Sequence, residues 1–369
     1  MIRKTLKVAL VFAGLSLPAN ADTKTIWFGT GADGIYHATL DSDSGALTKA
    51  TRAIEVKSPG FLAHHPSLEK IYAVCNVEAG AAVAVFEIAG ESLKLTGSQQ
   101  IRDGGATHVA VHPSGKLLLT AQYGGGSVAV FPLEKDGSIL PRSQLIEHNG
   151  GSRAVEGRQD SPHPHWVGFD TAGNFAYVPD LGMDGVEIYT VSPERTGIKR
   201  KGFMPVRPRG SGPRHMKFSA DDKYVFVLNE ISLTVTSMAY NASNGMLQHI
   251  DTIPTLSAET KSKESFNAAS EIRVHPGGKF LYAANRGHDS ISAFSIDTTN
   301  GKLKHIENEP IRGAWPRNFN LAPDGKWLLA AGSHSNTVSL FSIDQKSGEL
   351  TYVRKIISVP SPICVLFAK

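Results

Sequence analysis

One pattern recurs along the chain: an apolar strand, a Pro/Gly/Asp turn with Lys, a second apolar strand, a short polar turn and a third apolar strand. It is plainest in VAVHPSGKLLLTAQYGGGSVAVF at 109–131 and IRVHPGGKFLYAANRGHDSISAF at 272–294. VGFDTAGNFAYVPDLGMDGVEIY (167–189), MKFSADDKYVFVLNEISLTVTSMAY (216–240) and FNLAPDGKWLLAAGSHSNTVSLF (319–341) repeat it, and FLAHHPSLEKIYAVCNVEAGAAVAVF (61–86) is a looser copy. The second strands are expected to begin near Ile26, Ile71, Leu117, Phe175, Tyr224, Phe280 and Trp327, at spacings of 45, 46, 58, 49, 56 and 47 residues. Each unit usually closes through an Asp/Asn-Gly turn into a fourth strand, as in DTTNGKLKHI at 297–306.

Four short strands every ~45 residues make a propeller blade. No window long enough to matter carries a helical period. The pattern therefore predicts an all-β chain, a seven-bladed β-propeller. The ends fit this reading. Residues 24–40 supply the second and third strands of a blade, and SPICVLFA at 361–368 looks like a first strand with nothing after it. Joining them closes the ring and protects edges that an open solenoid would leave unpaired.

Composition and charge change the picture at one end. Arg3, Lys4 and Lys7 precede an apolar run from Val8 to Leu17, and Ala19-Asn20-Ala21 has small residues where signal peptidase needs them. Residues 1–21 read as a cleaved signal peptide, because the run is too short to span a bilayer. The 22–369 domain is then expected to be periplasmic or secreted. Whole-chain charge is 38 − 34 = +4, and without the three basic residues of the leader it becomes 35 − 34 = +1. A near-neutral domain gives no reason to expect a nucleic-acid or membrane partner. Cys75 and Cys364 both lie in apolar strand-like runs, so two buried free thiols are expected, although export permits a disulfide.

In a propeller, the start of each innermost strand and the turn between the second and third strands open on one mouth of the central channel. Those stretches hold His108, His163, His165, Asp180, Arg214, His215, Glu230, Arg286 and Arg317. Turns need Gly, Pro and Asn, but they do not need His, Arg and Glu. Ionisable groups converging in one concavity mark a candidate site. Arg214 could instead pair structurally with Asp180 or Glu230. Glu230 follows an apolar strand, so desolvation is expected to raise its pKa and suit it to general-base work.

At these residues the sequence resembles the lactonase family of seven-bladed propellers, which includes bacterial 6-phosphogluconolactonases and lies close to fungal carboxymuconate cyclases. The resemblance rests on EGRQDSPHPHWVGFD, YVPDLGMDGVEIY, GSGPRHMKFSADDKYVFVLNE, AASEIRVHPGGKFLYAANRGHDSI and WPRNFNLAPDGKWLLAAG, in that order. It implies a catalytic set of His165, Arg214, Glu230 and Arg286. It also implies that Arg158, Gln159 and His163 contact substrate; Asp180, His215 and Arg317 join them as substrate-binding candidates at the same mouth. Ala331-Gly332-Ser333 departs from the family's usual Ala-Asn-Gln and takes an amide off the rim.

The function expected is metal-free and cofactor-free hydrolysis of a sugar (aldono)lactone, with a small-molecule lactone or sugar acid as the partner. Water would be activated by Glu230 or His165, and the arginines would hold the oxyanion, a carboxylate or a phosphate. Three alternatives use the same mouth: a metal-dependent lactonase with Asp180, Glu230 and Asn285 as ligands, a muconate-type cycloisomerase, and a non-catalytic binding propeller.

Overall fold

The computed structural model describes residues 22–78 and 80–369. The expected signal peptide falls in 1–21, outside the described residues. Seven four-stranded antiparallel sheets form the blades, and the only helix among the described residues is the five-residue Ala258–Ser262. The innermost strands, in ring order from blade 1, are Pro362–Phe367, Leu62–His64, Ala106–Val111, Gly168–Phe169, Pro213–Phe218, Ala268–Val274 and Pro316–Leu321. The second strands begin at Thr23, Lys70, Leu117, Phe175, Tyr224, Phe280 and Trp327, each within three residues of the position read from the repeat.

Ring closure is as the chain ends implied. Pro362–Phe367 pairs antiparallel with Thr23–Thr30, with Ile26 opposite Phe367 and Phe28 opposite Val365. Ala368 N–H then donates to the Thr25 carbonyl at 2.7 Å. A segment from the far terminus thus supplies blade 1 with its inner strand and pairs the inner edge of Thr23–Thr30.

Burial explains why the strands read as they do. Second strands such as Leu117–Gln122 and Phe175–Asp180 are buried at every residue. They lie inside a blade and are covered on both faces by neighbouring blades. Outer strands such as Ile198–Pro205 are mostly exposed. Seven apolar clusters fill the seven gaps between blades; the gap between blades 1 and 7, for example, holds Phe28, Ala38, Leu329, Val338 and Val365. Cys75 and Cys364 are free and share the cluster between blades 1 and 2. Burial pushes their thiols up to about 11 and about 12, which keeps them protonated and unreactive.

The repeat also encodes the seams. In three His-Pro turns, the histidine bonds a glycine carbonyl of the next blade: His65 to Gly115 at 3.2 Å, His112 to Gly173 at 2.7 Å and His275 to Gly325 at 2.9 Å. Tyr72, Tyr177 and Tyr282 donate their hydroxyls to the carbonyls of Gly137, Gly245 and Gly348 in the same way. The fourth-strand turns close on their neighbours too. Gly301 sits at φ +74°, and a Cβ there would lie 2.5 Å from the Tyr224 ring of the preceding blade.

Two repeat spacings are long, 58 and 56 residues, and the structure shows why. The first carries a loop over 148–167, and the second carries a loop over 255–267 that includes the short helix. Both insertions lie at the channel mouth where the ionisable groups gather.

Candidate active site

The ionisable groups of the site come from strand starts and turns of blades 3 to 7. Glu230 ends the fully buried strand Tyr224–Asn229. Its backbone is fixed on two sides: its N–H donates to the Gly212 carbonyl at 2.7 Å, and its carbonyl accepts from Ala269 N–H at 3.1 Å. The carboxylate faces the mouth, toward Arg158, Arg214 and Arg286. Arg158 Nη2 donates to its Oε1 at 2.6 Å and Arg214 Nε to Oε2 at 2.9 Å, while Arg286 Nη2, which donates to the Ala269 carbonyl, pairs with Oε2 at 3.1 Å. Three arginines from three segments thus converge on one carboxylate that is 7% exposed.

This overturns the expected pKa shift of Glu230. Burial does push its carboxyl up, but Arg286, Arg214 and Arg158 together outweigh burial and hold it below the usual carboxylate range. With both oxygens engaged and the charged form favoured, Glu230 is a poor base. Its geometry suits fixing the arginines.

His165 has the opposite character. It is 5% exposed, and neither ring nitrogen has a hydrogen-bond partner among the described residues, although Nδ1 is fully buried. A buried, unpaired imidazole nitrogen is uncommon and calls for a ligand or water. Burial, then Arg214, His215 and Arg317, hold its pKa well below the ordinary imidazole range, so the ring is neutral at neutral pH. The ring is steadied edge-on by His215 and Tyr123, with centroids 5.2 and 5.4 Å away.

Beneath it lies a cavity of about 90 Å³ lined by His165, Arg214, His215, Arg317, Phe61 and Ile363. Arg214 is nearly fully buried and also donates from Nη1 to the Ser270 carbonyl and to His215 Nε2. Burial and the neighbouring Arg286 lower it to about 9, so it stays charged at neutral pH. Arg317 makes no hydrogen bond or ion pair among the described residues, which leaves its guanidinium for a ligand. His215 Nδ1 lies 3.1 Å from Glu271 Oε1, so accepting from Arg214 at Nε2 gives a neutral Nδ1–H tautomer.

The other candidates divide. Arg158 and Arg286 are at the mouth, as the Glu230 contacts require. His163 is half-buried on the rim, stacked on Tyr123 at 4.5 Å, with Nδ1 2.8 Å from the Tyr123 carbonyl. Gln159 does not reach the mouth: it is wholly buried, and its amide donates to the Leu181 carbonyl and to Asp184. Asp180 is also wholly buried, accepting from His163 N–H at 2.7 Å and Met183 N–H at 2.9 Å, with His148 Nδ1 at 2.6 Å. Both were expected to bind substrate, and both instead brace the 148–167 loop from behind. Asp180 is thus not the partner of Arg214.

The metal-ligand alternative loses its donor set for the same reason. Two of its three donors are already engaged, Asp180 by the loop and Glu230 by three arginines. Among the described residues no group of three or more His, Cys, Asp or Glu side chains is placed to share a cation.

Sequence reasoning missed several supports. Glu271 is wholly buried, with oxygens facing His215, Asn318 and Arg273. Asp184 accepts from Gly210 and Gly212 N–H as well as Gln159, tying two mouth loops together. A charged residue inside an apolar strand, as in ASEIRV, was the available signal for Glu271. Asp184 carried none.

Residues 24–367 match the family model described as "Lactonase, 7-bladed beta-propeller". The chain belongs to that lactonase family. A 6-phosphogluconolactonase of Bacillus subtilis is 32% identical over 339 residues, covering 91% of this chain and 95% of the relative. One from Formosa agariphila is 32% identical over 296 residues, covering 78% and 81%. Among solved structures, the Pseudomonas aeruginosa periplasmic gluconolactonase PpgL is 27% identical, with TM-score 0.86 and coverage of 94% of this chain and 99% of that one. Within this lactonase propeller, the mouth described above brings a neutral imidazole and free arginine N–H groups together in one concavity.

Proposed function

We propose that this protein hydrolyses the ring ester of a sugar lactone in the cavity beneath His165. The observation that carries this reading is the buried, neutral His165, lining the cavity beside Arg214 and Arg317 with neither ring nitrogen hydrogen-bonded among the described residues. A neutral imidazole in an electropositive pocket can take a proton from water while the cations hold the negative charge that develops. The family membership and the names of the relatives point the same way.

In this reading, water attacks the lactone carbonyl as His165 takes its proton. The oxyanion is held by Arg317 and by Arg214 Nη2, neither of which has another partner among the described residues. Collapse breaks the bond to the ring oxygen, and the imidazolium returns its proton to that oxygen. The product is the open-chain sugar acid. Glu230 positions Arg158, Arg214 and Arg286. It keeps their charges close together at a mouth that would otherwise spread through repulsion.

Export completes the proposal. The leader read at residues 1–21 and the periplasmic relative both favour a substrate outside the cytoplasm. Aldonolactones with and without a phosphate, assayed on wild type, His165→Ala and Arg286→Ala, test the whole reading. Each substitution is expected to lower kcat/KM at least ~100-fold while the circular dichroism of the propeller persists. Near-wild-type turnover in His165→Ala, or none by wild type on any lactone, would overturn it.

A further inference from the structure

The described residues expose six large hydrophobic side chains to solvent: Leu95, Phe203, Met246, Phe266, Val353 and Ile356. Five lie on outermost blade strands, where a solvent-facing strand carries scattered apolar residues as a matter of course. Phe266 does not. It lies on the 255–267 insertion at the channel mouth and is 47% exposed.

Its position is held firmly. The Phe266 carbonyl packs so close to Gly287 that a Cβ there would come within 1.7 Å of it. Gly287 directly follows Arg286, so the insertion is seated beside the arginine that grips Glu230. The Phe266 ring stacks on Trp315, with centroids 5.2 Å apart and planes at 27°. Trp315 stacks in turn on His334 at 4.6 Å and 9°, and the Arg286 guanidinium lies 5.4 Å from the Trp315 ring.

Trp315 holds this place in an unfavourable backbone conformation, φ +62°. A bulky residue rarely adopts it, and such strain gathers at binding sites. Asp289 accepts from Trp315 N–H at 2.9 Å, and Ser333 donates from both N–H and Oγ to the Trp315 carbonyl at 3.1 Å. Ser333 is one of the two residues here that depart from the family's Ala-Asn-Gln, and it pins the aromatic stack.

The dimensions decide what the stack could take. The cavity beneath His165, about 90 Å³, is far smaller than the ~300–1,000 Å³ of ordinary small-molecule pockets. It admits the reacting ester and little else. Trp315 lies two residues outward of Arg317 on one strand start, and Phe266 two residues outward of Ala268, whose carbonyl accepts from Arg286 Nε. An open aromatic face at the mouth, beside Arg286 and next to a polar, cationic pocket, suits the apolar C–H face of a second pyranose.

We propose that Phe266, carried by Trp315 and His334, is a subsite for a second sugar ring, so that the preferred substrate is the lactone of a disaccharide acid. This rests on the sugar-lactonase reading of the same mouth. Phe266 makes the contact, and Trp315 positions it.

The test separates binding from turnover. Gluconate, lactobionate and melibionate, two of them disaccharide acids with different linkages, are titrated against wild type, Phe266→Ala, Phe266→Tyr and Trp315→Ala by calorimetry. At least one disaccharide acid is expected to bind wild type about tenfold more tightly than gluconate. Phe266→Ala is expected to erase that advantage and Phe266→Tyr to keep it. The ratio of kcat/KM for the matching disaccharide lactone over glucono-lactone should follow. Equal affinity for all three acids, or an advantage that survives Phe266→Ala, overturns the subsite. Phe266 is exposed, so its alanine variant reads the contact without a folding defect. If the advantage is present and no lactone is hydrolysed, the subsite stands and the lactonase reading falls; active wild type with equal affinities gives the reverse.

Discussion

At the scale of the residue, the two possible bases behave differently because their neighbours differ. Glu230 and His165 are almost equally buried, at 7% and 5% exposed. Burial alone would neutralise both. Three arginines keep Glu230 ionised, whereas cations beside His165 add to burial and keep it neutral. A substitution distinguishes their roles. Glu230→Gln keeps the shape and removes the charge that compensates three arginines, so it is expected to cost about 3–5 kcal/mol of stability. Thermal unfolding should show that loss, with a raised KM as the arginines separate. A large fall in kcat at unchanged melting temperature would instead identify Glu230 as the base. The pH profile gives a second reading: kcat/KM should hold through neutral pH and fall only well below pH 6.5, as His165 takes up a proton.

At the scale of the element, the repeat couples each blade to the next through turns that sequence marks clearly. Gly301 is one such turn. Gly301→Ala would place a methyl against Tyr224 and force L-residue geometry at φ +74°. It is expected to destabilise the protein by about 1–3 kcal/mol without altering kcat, because the turn lies at the outer seam, away from the mouth. Denaturant unfolding beside a lactone assay would check both halves. Other elements were legible for the same local reason: strand starts, HP-x-G turns and the closing strand at 362–367 all follow from residue type and spacing. The long spacings of 58 and 56 residues were legible only as irregularities. What they carry, the 148–167 loop and the aromatic 255–267 loop, became evident once the blades fixed where those loops sit.

At the scale of the whole molecule, the channel gathers groups whose protonation couples to folding. His108, His165 and His215 all have folded-state pKa values well below 6.5, first through burial and then through neighbouring charges. Between those values and 6.5, the unfolded chain binds protons that the folded chain refuses. Stability therefore rises with pH across that window and is lost as pH falls below about 6.5, by up to ~1.4 kcal/mol per pH unit for each histidine. Glu230, held below its ordinary value, adds a loss of the same sign at lower pH. Melting temperature is thus expected to drop on acidification from pH 7 to 5, and replacing His108 with Phe should flatten the drop. A melting temperature that rises over that range would contradict this reading.

The chain by itself determined the fold, because a propeller is written in local terms. Alternating burial, turn residues and repeat length are properties of neighbouring positions, and seven near-copies reinforce one another. It also placed His165, Arg214, Glu230 and Arg286 at one mouth, since blade geometry maps strand starts to a single face. What those residues do there was settled only by tertiary structure. Arg158 and Glu230 are 72 residues apart in sequence and 2.6 Å apart in space. Asp180 and Gln159 carry the right chemistry at the right spacing, yet they turn inward to brace a loop. Protonation state, pairing and free valence are sums over groups from different blades, and such sums leave no periodic trace in a sequence.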